Sequence, residues 1–196
     1  MSFYFAIIGT KDNPLFEIEF GTSKAGGDGV SRFREEQRHM NQFIVHSSLD
    51  IVEEVQWGTG SMYLKHIDHY KSSHVWAYLT GGNIKFLLLS CPETHVTPPT
   101  LPATSRSSAA QSARSSTYTG GAGFSSYASP ISGAAGAAAS NYNPSSPAVE
   151  EATKNFFLEV YDAWVKTIMN PFYQVNMPVR SPVFRARVAA AGKKYL

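Results

Sequence analysis

The chain has 196 residues, 43% of them apolar and 13% aromatic, which is enough for one core of ordinary domain size. A formal charge of +2 is too small for a phosphate-backbone binder, which concentrates a strong basic excess on one face, so no nucleic-acid partner is expected. The single cysteine, Cys91, excludes an internal disulfide and a thiolate zinc cluster, and it fits a reducing, cytoplasmic compartment.

In chain order, SFYFAIIG at 2–9 is apolar on both alternating sets, as in a central strand covered on both faces. Its apolar run is far shorter than the roughly 18 residues that span a bilayer, and no basic region precedes it as in a signal peptide. After the turn Asp12-Asn13-Pro14, LFEIEF at 15–20 puts Phe16, Ile18 and Phe20 on one face and Glu17 and Glu19 on the other, which suits an edge strand. A glycine-rich loop over about 21–33 leads to HMNQFIVHSSLDIVEEVQW, read as one helix over 39–57 that ends near Gly58. Three strands follow at about 61–70, 74–80 and 83–90, with turns at Lys71-Ser72-Ser73 and Gly81-Gly82. The last of them is apolar on both sets apart from Lys85, so it too should be central.

The segment 92–146 changes to Ser, Ala, Gly, Thr and Pro, with no acidic residue between Glu93 and Glu150. Few of its side chains could offset the entropy of ordering, so it reads as a disordered insertion. It is either a phosphorylatable tether or a tolerated surface expansion. Residues 1–91 and 147–196 then form a single domain, because loop closure costs rise only logarithmically with length. Ser146-Pro147 starts a long helix through Phe156, Phe157, Val160 and Trp164, stopped at Asn170-Pro171. Ser181-Pro182 starts a short final helix through Phe184 and Val188, closed by Gly192. The order ββαβββαα, with the first and fifth strands side by side, predicts a five-stranded antiparallel sheet in order 2-1-5-4-3. One helix covers one face and two cover the other, making an α+β sandwich.

On the 39–57 helix, a wheel of about 100° per residue places Ile44, Ser47, Ser48, Ile51 and Val55 toward the sheet. Val45, Leu49 and Val52 then form a spare apolar shoulder for a second contact. The far side carries Phe43, His46, Asp50, Glu53 and Trp57, aromatics beside charge as in a binding surface. The alternative is that Phe43 and Trp57 finish the core at the helix rim and that Asp50 is a solvated charge.

Catalytic, metal and cofactor signatures are weak throughout. His66-x-x-His69 on a regular strand would point its rings to opposite faces, and Cys91 is not placed to complete a tetrahedral set. GGDG lacks the Lys-Ser/Thr of a phosphate loop, and no G-x-S-x-G elbow is present. Neither catalysis nor a cofactor is expected. The MNPFY turn around Phe172 is either a second contact or a rigid stop packed on the sheet. The basic end, from Arg180 to Lys194, meets acidic headgroups or an acidic partner, or simply complements helix C-termini.

The blocks SFYFAIIG, DNPLFEIEF, RHMNQFIVHSSLDIVEE, MYLKHID, KNFFLEVYD, MNPFY and GKKYL, in this order, resemble the sedlin family of small longin-fold subunits of the TRAPP vesicle-tethering complex. The resemblance implies the longin (SNARE-like) fold and a non-catalytic scaffold role. In that role the chain would link the small core subunits to larger specificity subunits in ER-to-Golgi, intra-Golgi and autophagy traffic. Rab GTPases would be engaged indirectly, through nucleotide exchange by the whole complex, and membrane association at the endoplasmic reticulum and Golgi would be peripheral. It further implies that Asp50 serves partner contact, while Phe86 and Val188 serve the core. The segment 92–146 is longer than the connection usual in the family. A free longin module acting as a regulatory domain or membrane adaptor is the other reading, for which a heptad segment or lipid signal would be needed.

Overall fold

The computed structural model describes residues 1–22, 27–33, 35–92 and 146–196, so nearly all of the expected 92–146 insertion lies outside the described residues. In chain order the elements are β1 (Ser2–Ile8), β2 (Pro14–Gly21), α1 (Glu35–Ser47), α2 (Leu49–Gly58), β3 (Tyr63–Tyr70), β4 (Ser73–Leu79), β5 (Lys85–Cys91), α3 (Pro147–Ile168) and α4 (Pro182–Tyr195). The strands form one antiparallel sheet in the order β2-β1-β5-β4-β3. The two doubly apolar strands are neighbours, with Phe5 opposite Leu88 and Ala6 opposite Leu87.

Alternation along these strands divides the apolar side chains between two cores. Phe3, Phe5 and Ile7 of β1 join Phe86 and Leu88 of β5 against Phe156, Phe157, Val160 and Trp164 of α3 and Phe184 and Val188 of α4. Tyr4, Ala6, Ile8, Leu87 and Leu89 pack instead with Ile44, Val45, Leu49 and Val52 of α1 and α2. The first core is mostly aromatic and includes edge-to-face pairs: Phe5 meets Phe156 at 5.4 Å and 90°, and Phe86 meets Trp164 at 6.0 Å and 79°. This geometry sets the positive ring edge against a negative face.

Two expectations about helices require correction. The 39–57 segment is not one helix, because the helical assignment is interrupted at Ser48. The Ser47 and Ser48 hydroxyls donate to the carbonyls of Ile44 and Val45 at 2.9 and 2.8 Å, a local back-bonding that competes with the backbone ladder and bends helices. Nor does Gly192 close the final helix, which continues to Tyr195. Gly192 is buried, and a Cβ there would lie 2.9 Å from the Phe20 ring. It is a point of close approach between α4 and β2.

Phe86 and Val188 are both fully buried in the aromatic core. Phe86→Ala removes a ring packed on Phe5, Tyr78 and Trp164. It is expected to cost about 3–5 kcal/mol of unfolding free energy. Urea denaturation checks this: a midpoint within experimental error of wild type would show that the site collapses around the missing ring.

Candidate protein interface

The supposed spare shoulder is the centre of the sheet contact. Val45, Leu49 and Val52 are only 2%, 5% and 0% exposed, and Asn41, Ile44 and Ser48 are buried with them. On the helical wheel these six residues form one stripe about 140° wide, turned by about 80° from the expected sheet-facing arc. The polar side chains of Asn41 and Ser48 lie within the stripe and disguise it. So α1 and α2 have a single ordinary buried face, and no apolar shoulder is left over.

The opposite side is as open as the sequence suggested. Phe43 is 63% exposed and Trp57 86%, and His46, Asp50, Glu53 and Glu54 are exposed with them. Two large aromatics therefore stand in solvent, leaving the rim-of-core alternative without support. Beside Phe43, a groove of about 430 Å³ runs between α1 and the β1–β2 hairpin, walled by Ala6, Ile8, Pro14, Phe43, Val45 and His46. Across it, Gln42 donates to the Glu17 carboxylate at 3.1 Å, and the Tyr4 hydroxyl donates to the same group at 2.6 Å. Burial, reinforced by that bond to Glu17, pushes the Tyr4 hydroxyl far above the usual phenol range. The network holds α1 to β2.

The acids on this surface differ in their structural ties. Asp50 lies in the first turn of α2, where the helix start favours negative charge. His46, four residues earlier, is separated from it by the interruption at Ser48. Glu53 reaches inward, placing a carboxylate oxygen 3.4 Å from Lys85 Nζ, which also lies 2.8 Å from Asp12. Lys85 is only 2% exposed, so these two acids stabilise a charge held away from water. Glu53 is thus tied to folding, a role its spacing on a helix did not reveal. Removing both anions with Asp12→Ala/Glu53→Ala should cost about 3 kcal/mol or more, whereas Lys85→Met should stay within about 1.5 kcal/mol of wild type. Equal losses for the two variants in thermal and denaturant melts would mean that the ammonium is not held away from water.

On the other half of the molecule the MNPFY turn divides its roles. Tyr173 packs edge-on against Trp164 at 5.9 Å, while Phe172 is exposed, together with Met169 and Val175. Two side chains of the basic end are engaged: Lys194 pairs with Glu159 at 3.0 Å, and Arg185 lies over the Phe16 ring and donates to the Glu17 carbonyl.

The expectation that His66 and His69 face opposite ways also fails. β3 is irregular between Tyr63 and Lys65 and again between His66 and Asp68, with Lys65 at φ 66°. Each bulge resets the alternation, so His66 sits opposite Trp76 and His69 opposite His74. His66 Nε2 lies 3.1 Å from His74 Nδ1, and the His69 ring stacks on His74 at 6.5 Å. Among the described residues, no group of three His, Cys, Asp or Glu side chains could hold a metal ion. Both rings of the close pair titrate below the ordinary histidine value. Burial is the main cause, and nearby histidines add repulsion.

The unfolded chain therefore binds more protons than the folded one between the lowered values and about pH 6.5. The resulting stability penalty is absent above that range and grows as pH falls through it. His66→Gln/His74→Gln should flatten the stability–pH curve below about pH 6.5, as read from denaturant midpoints at several pH values. An unchanged slope would place the titration elsewhere.

The sheet order and the ββαβββαα sequence of secondary structure, with α1 and α2 dividing the first helical segment, define the class: an α+β module of longin type. A family model described as Sedlin matches residues 7–194. The chain is 32% identical over 196 residues to the transport protein particle 20 kDa subunit of Schizosaccharomyces pombe, covering all of both chains. It is 30% identical to the probable trafficking protein particle complex subunit 2 of Drosophila melanogaster, covering 100% of this chain and 97% of that one. It is 28% identical to trafficking protein particle complex subunit 20 of Saccharomyces cerevisiae, covering 98% and 97%. The chain belongs to the sedlin family.

Proposed function

We propose that this chain is a non-catalytic adaptor subunit of a trafficking protein particle complex, and that the outer surface of α1 and α2 is where a neighbouring subunit docks. The observation that carries this reading is the exposure of Phe43 and Trp57 beside His46 and Asp50. Large aromatics in solvent lose apolar hydration on contact and are the residues that most often anchor interfaces. The names of the relatives, each a subunit of such a particle, supply the kind of partner. On this reading the chain links the small core subunits to larger specificity subunits in vesicle traffic between the endoplasmic reticulum and Golgi and within the Golgi. It takes part in Rab nucleotide exchange and reaches membranes through the complex. Among the described residues no helix is long and apolar enough to cross a membrane.

Val45, Leu49 and Val52 have no part in this surface beyond supporting it, because they are buried against the sheet. Glu53 is shared between the surface and Lys85.

Asp50→Tyr and Trp57→Ala separate binding from folding. Each should shift unfolding free energy by less than about 1 kcal/mol, since one removes a helix-end charge and the other an exposed ring. Trp57→Ala should weaken attachment by about 2 kcal/mol, or roughly thirtyfold, if it is an anchor. The measurement is co-elution of the purified chain with core and specificity subunits on gel filtration, beside thermal melts. Undiminished co-elution of both variants would remove the surface from the interface. Failure of the wild-type chain to co-elute with any such subunit would favour a free longin module instead.

A further inference from the structure

We propose that His66 and His74 form a chelating pair for a divalent transition-metal ion of the copper, nickel or zinc class, on the outer β3–β4 hairpin. The two facing nitrogens, Nε2 of His66 and Nδ1 of His74, are 3.1 Å apart. An ion bound to both at the usual imidazole distance of about 2.0–2.1 Å would subtend an angle of about 95–102° at the metal. That lies between the right angle of an octahedral site and the tetrahedral angle.

The sheet fixes the pair from both sides. His66 is held opposite Trp76 and His74 opposite His69 by the β3–β4 register. The buried Trp76 ring forms a wall at 5.6 Å from His66 and 6.0 Å from His74. His66 and His74 are diagonal neighbours on one face of the hairpin, and the bulge after His66 adds His69, which is not a ligand, to that face opposite His74. His66 is exposed and His74 half-buried, so an ion can enter from solvent.

The protonation state suits ligation. Burial favours the neutral rings, so at neutral pH an ion has little proton competition to overcome. In the absence of an ion, one ring must present a hydrogen to the other across the 3.1 Å contact. Ligation places that hydrogen on the far nitrogen by a change of tautomer, leaving Nδ1–H on His66 or Nε2–H on His74, with no net proton released.

The ligand type sets the class of ion. Imidazole suits copper, nickel and zinc, whereas magnesium and calcium prefer oxygen. With no third side chain converging among the described residues, water completes the coordination. The pair is therefore an open, exchangeable site and not a closed structural one.

The test is calorimetric titration of the tag-free, metal-stripped full chain with Cu2+, Ni2+, Zn2+ and Mg2+ at pH 7.5. One ion per chain is expected, with Cu2+ bound more tightly than Ni2+ or Zn2+ and no heat from Mg2+. His66→Gln and His74→Gln should each weaken binding by about tenfold or more, His69→Gln by less than about threefold, and acidification should weaken it progressively as the rings take up protons. A hundredfold excess of ion over its Kd should raise the melting temperature of the wild-type chain by about 5–10 °C, and the same ion concentration should raise that of His74→Gln by no more than about half as much. Three results would each overturn the assignment. The first is no heat and no melting shift at millimolar ion. The second is binding untouched by both His66→Gln and His74→Gln, which would place the ion on other histidines. The third is equal loss with His69→Gln, which would replace the two-ligand site with a different one.

Discussion

The molecule depends on the antiparallel pairing of β1 with β5. Every side chain of β1 is buried, and so is every side chain of β5 except Cys91 at its end. A strand pair in that condition cannot lie at an edge or face water, so it must have strands on both flanks and helices on both faces. The hairpin partners β2 and β4 take the flanks, and the helices pack over the two alternating sets of side chains. Two separate apolar cores follow from one ladder of backbone hydrogen bonds. With the interior so filled, anything this protein does for other molecules must be done on its outer helix faces, its edges and its loops.

The sequence carried most of this plan. The doubly apolar runs 2–9 and 83–90, placed side by side with their hairpin partners outside them, gave the observed strand order. The faces of the first helical segment were less legible. Ser48 was placed toward the sheet and is buried there, but Asn41 was not, and Ser47, Ile51 and Val55 pulled the inferred face toward Met40, which is exposed. The exposed side was still read correctly at Phe43, His46, Asp50 and Trp57, since its error-free part is the run of charges that no core tolerates unpaired. The histidine cluster was only half seen, with His66 and His69 noted but expected on opposite faces, for a different reason. A bulge is a local change in residue count between two strands, set by how both strands pair, and no period in one strand announces it. Lys65 at positive φ is an uncommon backbone state that its residue type gives no reason to expect.

Lys85 joins the two themes of folding and contact. It occupies the first position of β5, at the end of the central ladder, where its charge is met by Asp12 from the β1–β2 turn and by Glu53 from α2. The outer helix surface is therefore connected electrostatically to the start of a central strand. If the proposed docking surface is correct, a change on the Trp57–Asp50 side of α2 acts through binding and one at the Glu53 carboxylate acts through folding. Neighbouring residues on one helix turn thus have separate consequences.

The two borders of the sheet are closed by different means. Along β2, the Val179 amide donates to the Leu15 carbonyl, Arg185 donates to the Glu17 carbonyl, and the Gly21 amide donates to the Gly29 carbonyl, so the outward backbone groups at those three residues are already engaged. Along β3, the two irregularities and the left-handed Lys65 twist the rim away from the flat geometry that an arriving strand requires. Another polypeptide would find no long, straight rim to extend. Backbone zippering onto either rim is therefore disfavoured, as is the fibril growth that an open, flat rim invites.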